Sequence, residues 1–233
     1  MRFIFLKKNK AQFFVYFIYI WTKIKNIFLK KKIKREKRLH KNFLKDKKIT
    51  IDFFSSHAFN FFQILKKLKV NFNYLEIGSF EGNSAMYVAN RFPNSNIYCL
   101  DPWIKTNEYD EHIKFRDIEN NFDINTSMNK NIKKIKKSSD EFFQDNHIKF
   151  DAIYVDGYHL GEQVFRDVKN SWKFLSSGGY LICDDYIWNL QSENLETTPC
   201  FAINKFLREI KNSCKIVMVS NSQIFLKKLN NKI

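Results

Sequence analysis

One stretch constrains this chain more than any other: an apolar run that ends on a carboxylate and breaks into glycines. It reads Tyr74-Leu75-Glu76-Ile77-Gly78-Ser79-Phe80-Glu81-Gly82-Asn83-Ser84. The apolar residues predict a strand. Gly78 and Gly82 predict a turn whose backbone approaches a ligand at φ values that a side chain resists. Ser84 is placed to cap or open a helix running to Ala89. A strand that turns into a helix in this way builds a cradle for a nucleoside cofactor. Glu76, Gly78, Ser79, Gly82 and Ser84 are its candidate contacts.

The rest of the chain keeps the same alternation. Hydrophobic periodicity predicts strands at 74–77, 96–100, 132–136, 151–155, 179–183, 215–220 and 223–228. Helices are expected at 53–69, 83–91, near 108–122, and at 138–144, 160–175 and 200–212. Asn221-Ser222 separates the last two strands by a short turn, so they should be antiparallel. The expected fold is α/β, doubly wound and Rossmann-like, with a mostly parallel seven-stranded sheet and an antiparallel C-terminal strand.

In such a sheet ligands gather outside the C-terminal strand ends. Asp101 ends the second strand twenty-five residues after Glu76. A carboxylate there can accept hydrogen bonds from both hydroxyls of a ribose, a reading favoured over that of an ordinary loop acid. Ser139, at the start of the helix after the third strand, is the candidate for the adenine edge. Asp156 ends the fourth strand, and Asp184 and Asp185 end the fifth. Three hard oxygen donors at one cleft suit Mg²⁺ or a similar divalent cation; without one they would repel, and at least one pKa would rise.

Charge separates the chain into two parts. Residues 1–49 hold 17 Lys/Arg against 2 Asp/Glu, whereas 50–233 hold 23 against 22. The formal net charge of +16 therefore belongs to an extension over 1–49, and the body over 50–233 is nearly neutral. That balance argues against a nucleic-acid partner, and no nucleic-acid module is recognisable. Within the extension, Ala11 to Thr22 is apolar but shorter than the roughly 20 residues a spanning helix needs. It also lacks the cleavage site of a secretory signal. A polybasic run, Lys30 to Arg38, follows. The extension is read as an anionic-membrane surface contact, as a helix packed on the body or on another subunit of a homo-oligomer, or as an uninformative tail. Four cysteines without paired spacing fit reduced thiols and a cytoplasmic protein, peripheral at the membrane if the first of those readings holds.

The segment Leu75 to Ser84 resembles the first motif of class I S-adenosylmethionine (SAM) methyltransferases, in the form used by catechol-type O-methyltransferases, with Phe80 where the commonest form has glycine. Val155-Asp156-Gly157-Tyr158-His159, the helix through Val164 to Trp172, Gly178-Gly179 and Asp184-Asp185-Tyr186 resemble the methyltransferase domain 24 family. The resemblance covers roughly 51–230. It implies SAM as cofactor, with Asp156 near it, and a small-molecule or glycan acceptor. It also implies a cation held by Asp156, Asp184 and Asp185. His159 stands where the catechol enzymes place a catalytic lysine, and is read as a general base, a substrate donor or a structural cleft histidine.

The expected activity is methyl transfer to a hydroxyl of a small molecule or glycan, probed against three alternatives: N-methylation, a nucleic-acid acceptor, and a non-catalytic membrane-associated SAM-binding module. A nicotinamide enzyme would need G-x-G-x-x-G, which Gly78-x-x-x-Gly82 does not supply. Trp103, Trp188, Tyr158 and Tyr186 are candidate walls of the acceptor pocket, or simple packing.

Overall fold

The computed structural model describes residues 1–105, 117–188 and 192–230. Seven strands form one sheet: β1 (Asn73–Ile77), β2 (Asn96–Leu100), β3 (Ile132–Ile135), β4 (Phe150–Val155), β5 (Leu175–Cys183), β6 (Cys214–Val219) and β7 (Ile224–Lys228). Their order is β3-β2-β1-β4-β5-β7-β6. Every pairing is parallel except those of β7, which runs antiparallel to β5 and to β6. This is the doubly wound architecture expected. The turn between β6 and β7 closes through Ser220, whose N–H donates to the Gln223 carbonyl at 2.8 Å.

The central strands are apolar on both faces because helices cover both. Leu75, Ile77, Ile153, Val155 and Leu181 pack into one core layer. Their neighbours Tyr74, Ala152, Tyr154, Tyr180 and Ile182 pack into the other. That alternation is the two-residue period of a strand. Since β1 lies between β2 and β4, the winding reverses there, and a crevice opens beyond the carboxyl ends of β1 and β4.

The helices of the body are α4 (Ala58–Leu65), α5 (Asn83–Arg91), α6 (Ile118–Thr126), α7 (Ser139–Asp145), α8 (Gly161–Phe174) and α9 (Pro199–Glu209). Helix α4 is shorter than the expected 53–69. Asp52 Oδ1 accepts from the Ser55 N–H at 2.8 Å and the His57 N–H bonds the Phe54 carbonyl, so the chain turns before the helix begins. The helix expected near 108–122 falls partly on residues 106–116, outside the described residues; its described part begins at Ile118. Strand β5 starts earlier than 179, and Gly178 at φ +80° accommodates an irregular register against β4.

Residues 1–49 form α1 (Arg2–Lys8), α2 (Phe13–Phe28) and α3 (Lys30–Phe43), and they pack along the body. Phe5, Leu6, Val15 and Tyr19 are buried in the same layer as Trp172, Ile203 and Phe206. Asn9, also buried, accepts from the Thr198 hydroxyl at 2.8 Å and from Asn204 Nδ2 at 3.0 Å. Helix α2 lies against β6, covering an edge strand that would otherwise be open to pairing. On α3, Glu36 accepts from the Tyr87 hydroxyl at 2.7 Å, and His40 Nε2 lies 2.7 Å from Asn83 Oδ1. Among the described residues no helix is long and apolar enough to cross a membrane. All four cysteines are unpaired, and Cys99, Cys183 and Cys200 are buried.

Candidate active site

A cavity of about 620 Å³ opens at the carboxyl ends of the strands. One wall is the turn between β1 and α5. Gly78 sits there at φ +86°, and a Cβ on it would come within 2.0 Å of the Asp156 carbonyl oxygen. The turns after β1 and β4 thus touch backbone to backbone, which only glycine permits. Gly82, at φ +80°, occupies the N-cap position of α5. Ser84 therefore lies inside the first turn and not at the cap; it lines the cavity together with Gly78 and Ser79.

Phe80 holds a positive φ of +47°, unusual for an aromatic residue. The Asp101 carboxylate fixes it: Oδ2 accepts from the Phe80 N–H at 3.0 Å and Oδ1 from the Trp103 N–H at 2.7 Å. Asp101 lines the cavity and also ties the first glycine turn to the second strand end. Burial raises its pKa, and the backbone donors of Phe80, Trp103 and Ser79 offset part of that rise.

Two expected contacts lie elsewhere. Glu76 and Gly82 do not face the cavity. Glu76 is fully buried beneath the turn, where the Tyr74 hydroxyl donates to Oε2 at 3.0 Å. Burial pushes its carboxyl up to about 7, although the Ser84, Tyr74 and Ser79 hydroxyls favour the charged form. Glu76 lies two positions after Tyr74 along the strand, so both point into the same core layer. Proximity to the turn in sequence therefore did not bring Glu76 to the ligand side.

The far wall comes from α7 and α8. Ser138 caps α7 in a reciprocal box with Glu141, which places Ser139 at the first helical position. Ser139 Oγ donates to Asp167 Oδ1 at 2.6 Å, and Gln163 Nε2 reaches the same oxygen at 3.0 Å. All three line the cavity. Burial pushes Asp167 up to about 6, with the Ser139 and Gln163 bonds opposing. Asp167 and Gln163 were not anticipated. The signal was present: Asp167 sits in the buried stripe Val164, Val168, Ser171, Trp172 of α8, an acid where the helix should be apolar.

At the end of β4 and β5 the carboxylates converge, but not as the expected Asp156, Asp184 and Asp185 trio. Donor atoms of Asp156, His159 and Asp185 lie within 4.8 Å of one another, a set that could hold a metal ion. His159 Nε2 is 2.8 Å from Asp185 Oδ2. Asp184 lines the same cavity but is held by other partners. It accepts from the Tyr154 hydroxyl and, at 2.7 Å, from Gln223 Nε2. The same Tyr154 hydroxyl lies 2.8 Å from Asp156 Oδ2, so it bridges the two acids. Burial first, then the charges of Asp184 and Asp185, push Asp156 well above the usual carboxylate range. Asp184 is raised by burial and by Asp185. A cation at Asp156 and Asp185 would relieve this repulsion, so the donor set fits one.

Of the four aromatic residues considered as walls, two serve. Tyr158 and Trp188 line the mouth, and Trp188 lies 5.2 Å from the His159 ring. Trp103 packs on Phe122 instead and donates from Nε1 to the Phe80 carbonyl at 2.9 Å. Tyr186 is fully buried, its hydroxyl on Asn204 Oδ1 at 2.7 Å. Phe53 and Phe80, 6.2 Å apart, supply apolar wall that the sequence reading did not assign.

Sheet order, glycine turn and acidic strand ends together define the class I methyltransferase fold. Residues 75–186 match a family described as methyltransferase domain. Protein R132 of Acanthamoeba polyphaga mimivirus is 29% identical over 162 residues, which are 64% of this chain and 68% of that protein. Among solved structures, the MycE methyltransferase of the mycinamycin pathway, in complex with Mg and SAH, aligns with a TM-score of 0.57 at 17% identity. That alignment spans 84% of this chain and 55% of MycE. The O-methyltransferase TomG from Streptomyces achromogenes, in complex with SAM, aligns at 0.56 and 12% identity over 85% of this chain and 89% of TomG.

Proposed function

We propose that this protein transfers the methyl group of SAM to a hydroxyl of a small molecule or glycan, with a divalent cation such as Mg²⁺ at Asp156 and Asp185. The observation that carries the reading is the meeting of Asp156, His159 and Asp185 in a cavity that the glycine turn and Asp101 also line. MycE, which shares the fold, is described with Mg and SAH, and also with mycinamycin VI, a compound of its own pathway.

SAM supplies an electrophilic methyl on a sulfonium, and a divalent cation supplies a Lewis acid that lowers the pKa of a bound hydroxyl. The residues of the chain do the rest. Gly78, Ser79 and Ser84 let the cofactor lie close to the backbone, while the second lone pairs of Asp101 accept from its ribose. Ser139, Gln163 and Asp167 offer a polar edge to its base. Asp185 orients the His159 ring through Nε2. The ring takes the hydroxyl proton as the new C–O bond forms. Bound SAM would give up its methyl with the C–S electron pair going to sulfur, which balances the new C–O bond. Tyr158 and Trp188 hold the acceptor against this end by their faces and exclude water, so alignment supplies much of the rate.

The test is transfer of labelled methyl from SAM to a panel of phenolic and glycosidic hydroxyl compounds and matched amines. Label in hydroxyl compounds, suppressed by a chelator and restored by Mg²⁺, is expected. Label in the amines alone, or indifference to chelation, overturns the corresponding half of the proposal.

A further inference from the structure

Helix α2 is apolar on two sides. Val15, Tyr19 and Thr22 go down onto the body, but Phe13, Phe17, Ile20, Trp21, Ile24 and Phe28 face outward, between 43% and 83% exposed. They recur at steps of three and four, so they form one continuous stripe about 24 Å long. Exposed apolar patches of this extent mark interaction surfaces. The stripe is also rigidly presented. Arg2 Nη1 donates to Asn221 Oδ1 at 2.8 Å, and Lys23 Nζ bonds the same oxygen, which pins α1 and α2 to the β6–β7 turn. Ser222 in that turn lines the cavity.

Charge decides what covers the stripe. Helix α3 follows at once with Lys31, Lys32, Lys34, Arg35, Lys37 and Arg38, all exposed. Its one acid, Glu36, is turned to Tyr87 and Arg91. A second copy docked by its own α2 would add an equal cationic cluster to the same assembly, a like-charge pairing that costs free energy. An anionic surface is attracted by the same charges. We infer that the outer face of α2 seats in the interface of an anionic lipid bilayer, with the lysines of α3 among the headgroups. A helix of this length with its other side docked on protein lies in the plane of the bilayer and does not cross it. The inference stands independently of the methyl-transfer reading.

The experiment uses the full chain and vesicles of phosphatidylcholine with and without phosphatidylserine, read by co-sedimentation and by Trp fluorescence. Binding to the phosphatidylserine vesicles is expected, with a blue shift that Trp21→Ser removes. Phe17→Ser with Trp21→Ser lowers the partition coefficient tenfold or more. Changing Lys31, Lys32 and Lys34 to Gln lowers it on the order of a hundredfold. These side chains are exposed, so thermal unfolding of each variant stays at the wild-type temperature. A wild-type protein that remains in the supernatant, or binds neutral vesicles equally well, overturns the inference. So does a concentration-dependent dimer that the Phe17→Ser, Trp21→Ser variant disperses, which would assign the stripe to a second copy.

Discussion

Replacing Glu76 by Gln isolates the electrostatic cost of the acid beneath the glycine turn. Glu76 has no exposed surface, and burial lifts its carboxyl from 4.5 to about 7. A raised folded value means that folding favours the neutral acid. Its contribution is complete below the unfolded value near 4.5 and is lost as pH rises through 7. At 1.36 kcal/mol for each pH unit, the gap amounts to roughly 3 kcal/mol. Gln keeps the shape, and its amide oxygen can still accept from Tyr74. It gives up part of the carboxylate's favourable interaction with the nearby Ser79 and Ser84 hydroxyls, so the expected gain at pH 8 is about 1–3 kcal/mol, falling to zero or below near pH 4. Urea unfolding of both proteins from pH 4 to 8 at fixed ionic strength measures the difference, and other titrating groups cancel between them. A variant no more stable than wild type at pH 8, or a difference independent of pH, would refute the reasoning.

Two further substitutions probe neighbouring parts of the argument. Gly78→Ala meets the Asp156 backbone and strains a left-handed conformation, so it should cost more than about 2 kcal/mol by urea unfolding, whereas Gly178→Ala, with open space around it, should cost no more than about 1–2. Leu6→Ala removes a fully buried side chain from the layer shared with α9; a loss of about 2–5 kcal/mol would show that the basic extension is part of the folded body.

Much of the sheet was legible because its strands are short, apolar and punctuated by turns; α5 and β2 fall where the periodicity puts them. The start of α4 was not, since an Asp52–Ser55 turn overrides an apolar pattern that continues through it. At the site, Gly78, Ser79, Ser84, Asp101, Ser139, Asp156, His159, Asp184 and Asp185 all reach one cavity, as strand ends in a parallel sheet must. What the sequence could not resolve was direction. Glu76 points into the core because of strand parity, and Asp184 and Asp185 diverge because Asp185 adopts φ +53°, which swings it to His159 while Asp184 stays on Tyr154 and Gln223. Side chains one residue apart at a strand end cannot be sorted by spacing alone. Asp167 and Gln163 were hidden by lying on a helix whose other buried residues are mostly apolar.

Calorimetric titration of SAM into the wild-type protein and into Asp101→Ala, each first shown to be folded by its thermal transition, bears most directly on the central claim. Two charge-assisted bonds to a ribose, at about 1.5–3 kcal/mol each, predict single-site binding that the substitution weakens at least a hundredfold. A wild-type protein that takes up no SAM, or an Asp101→Ala protein that binds it as tightly, would contradict the account.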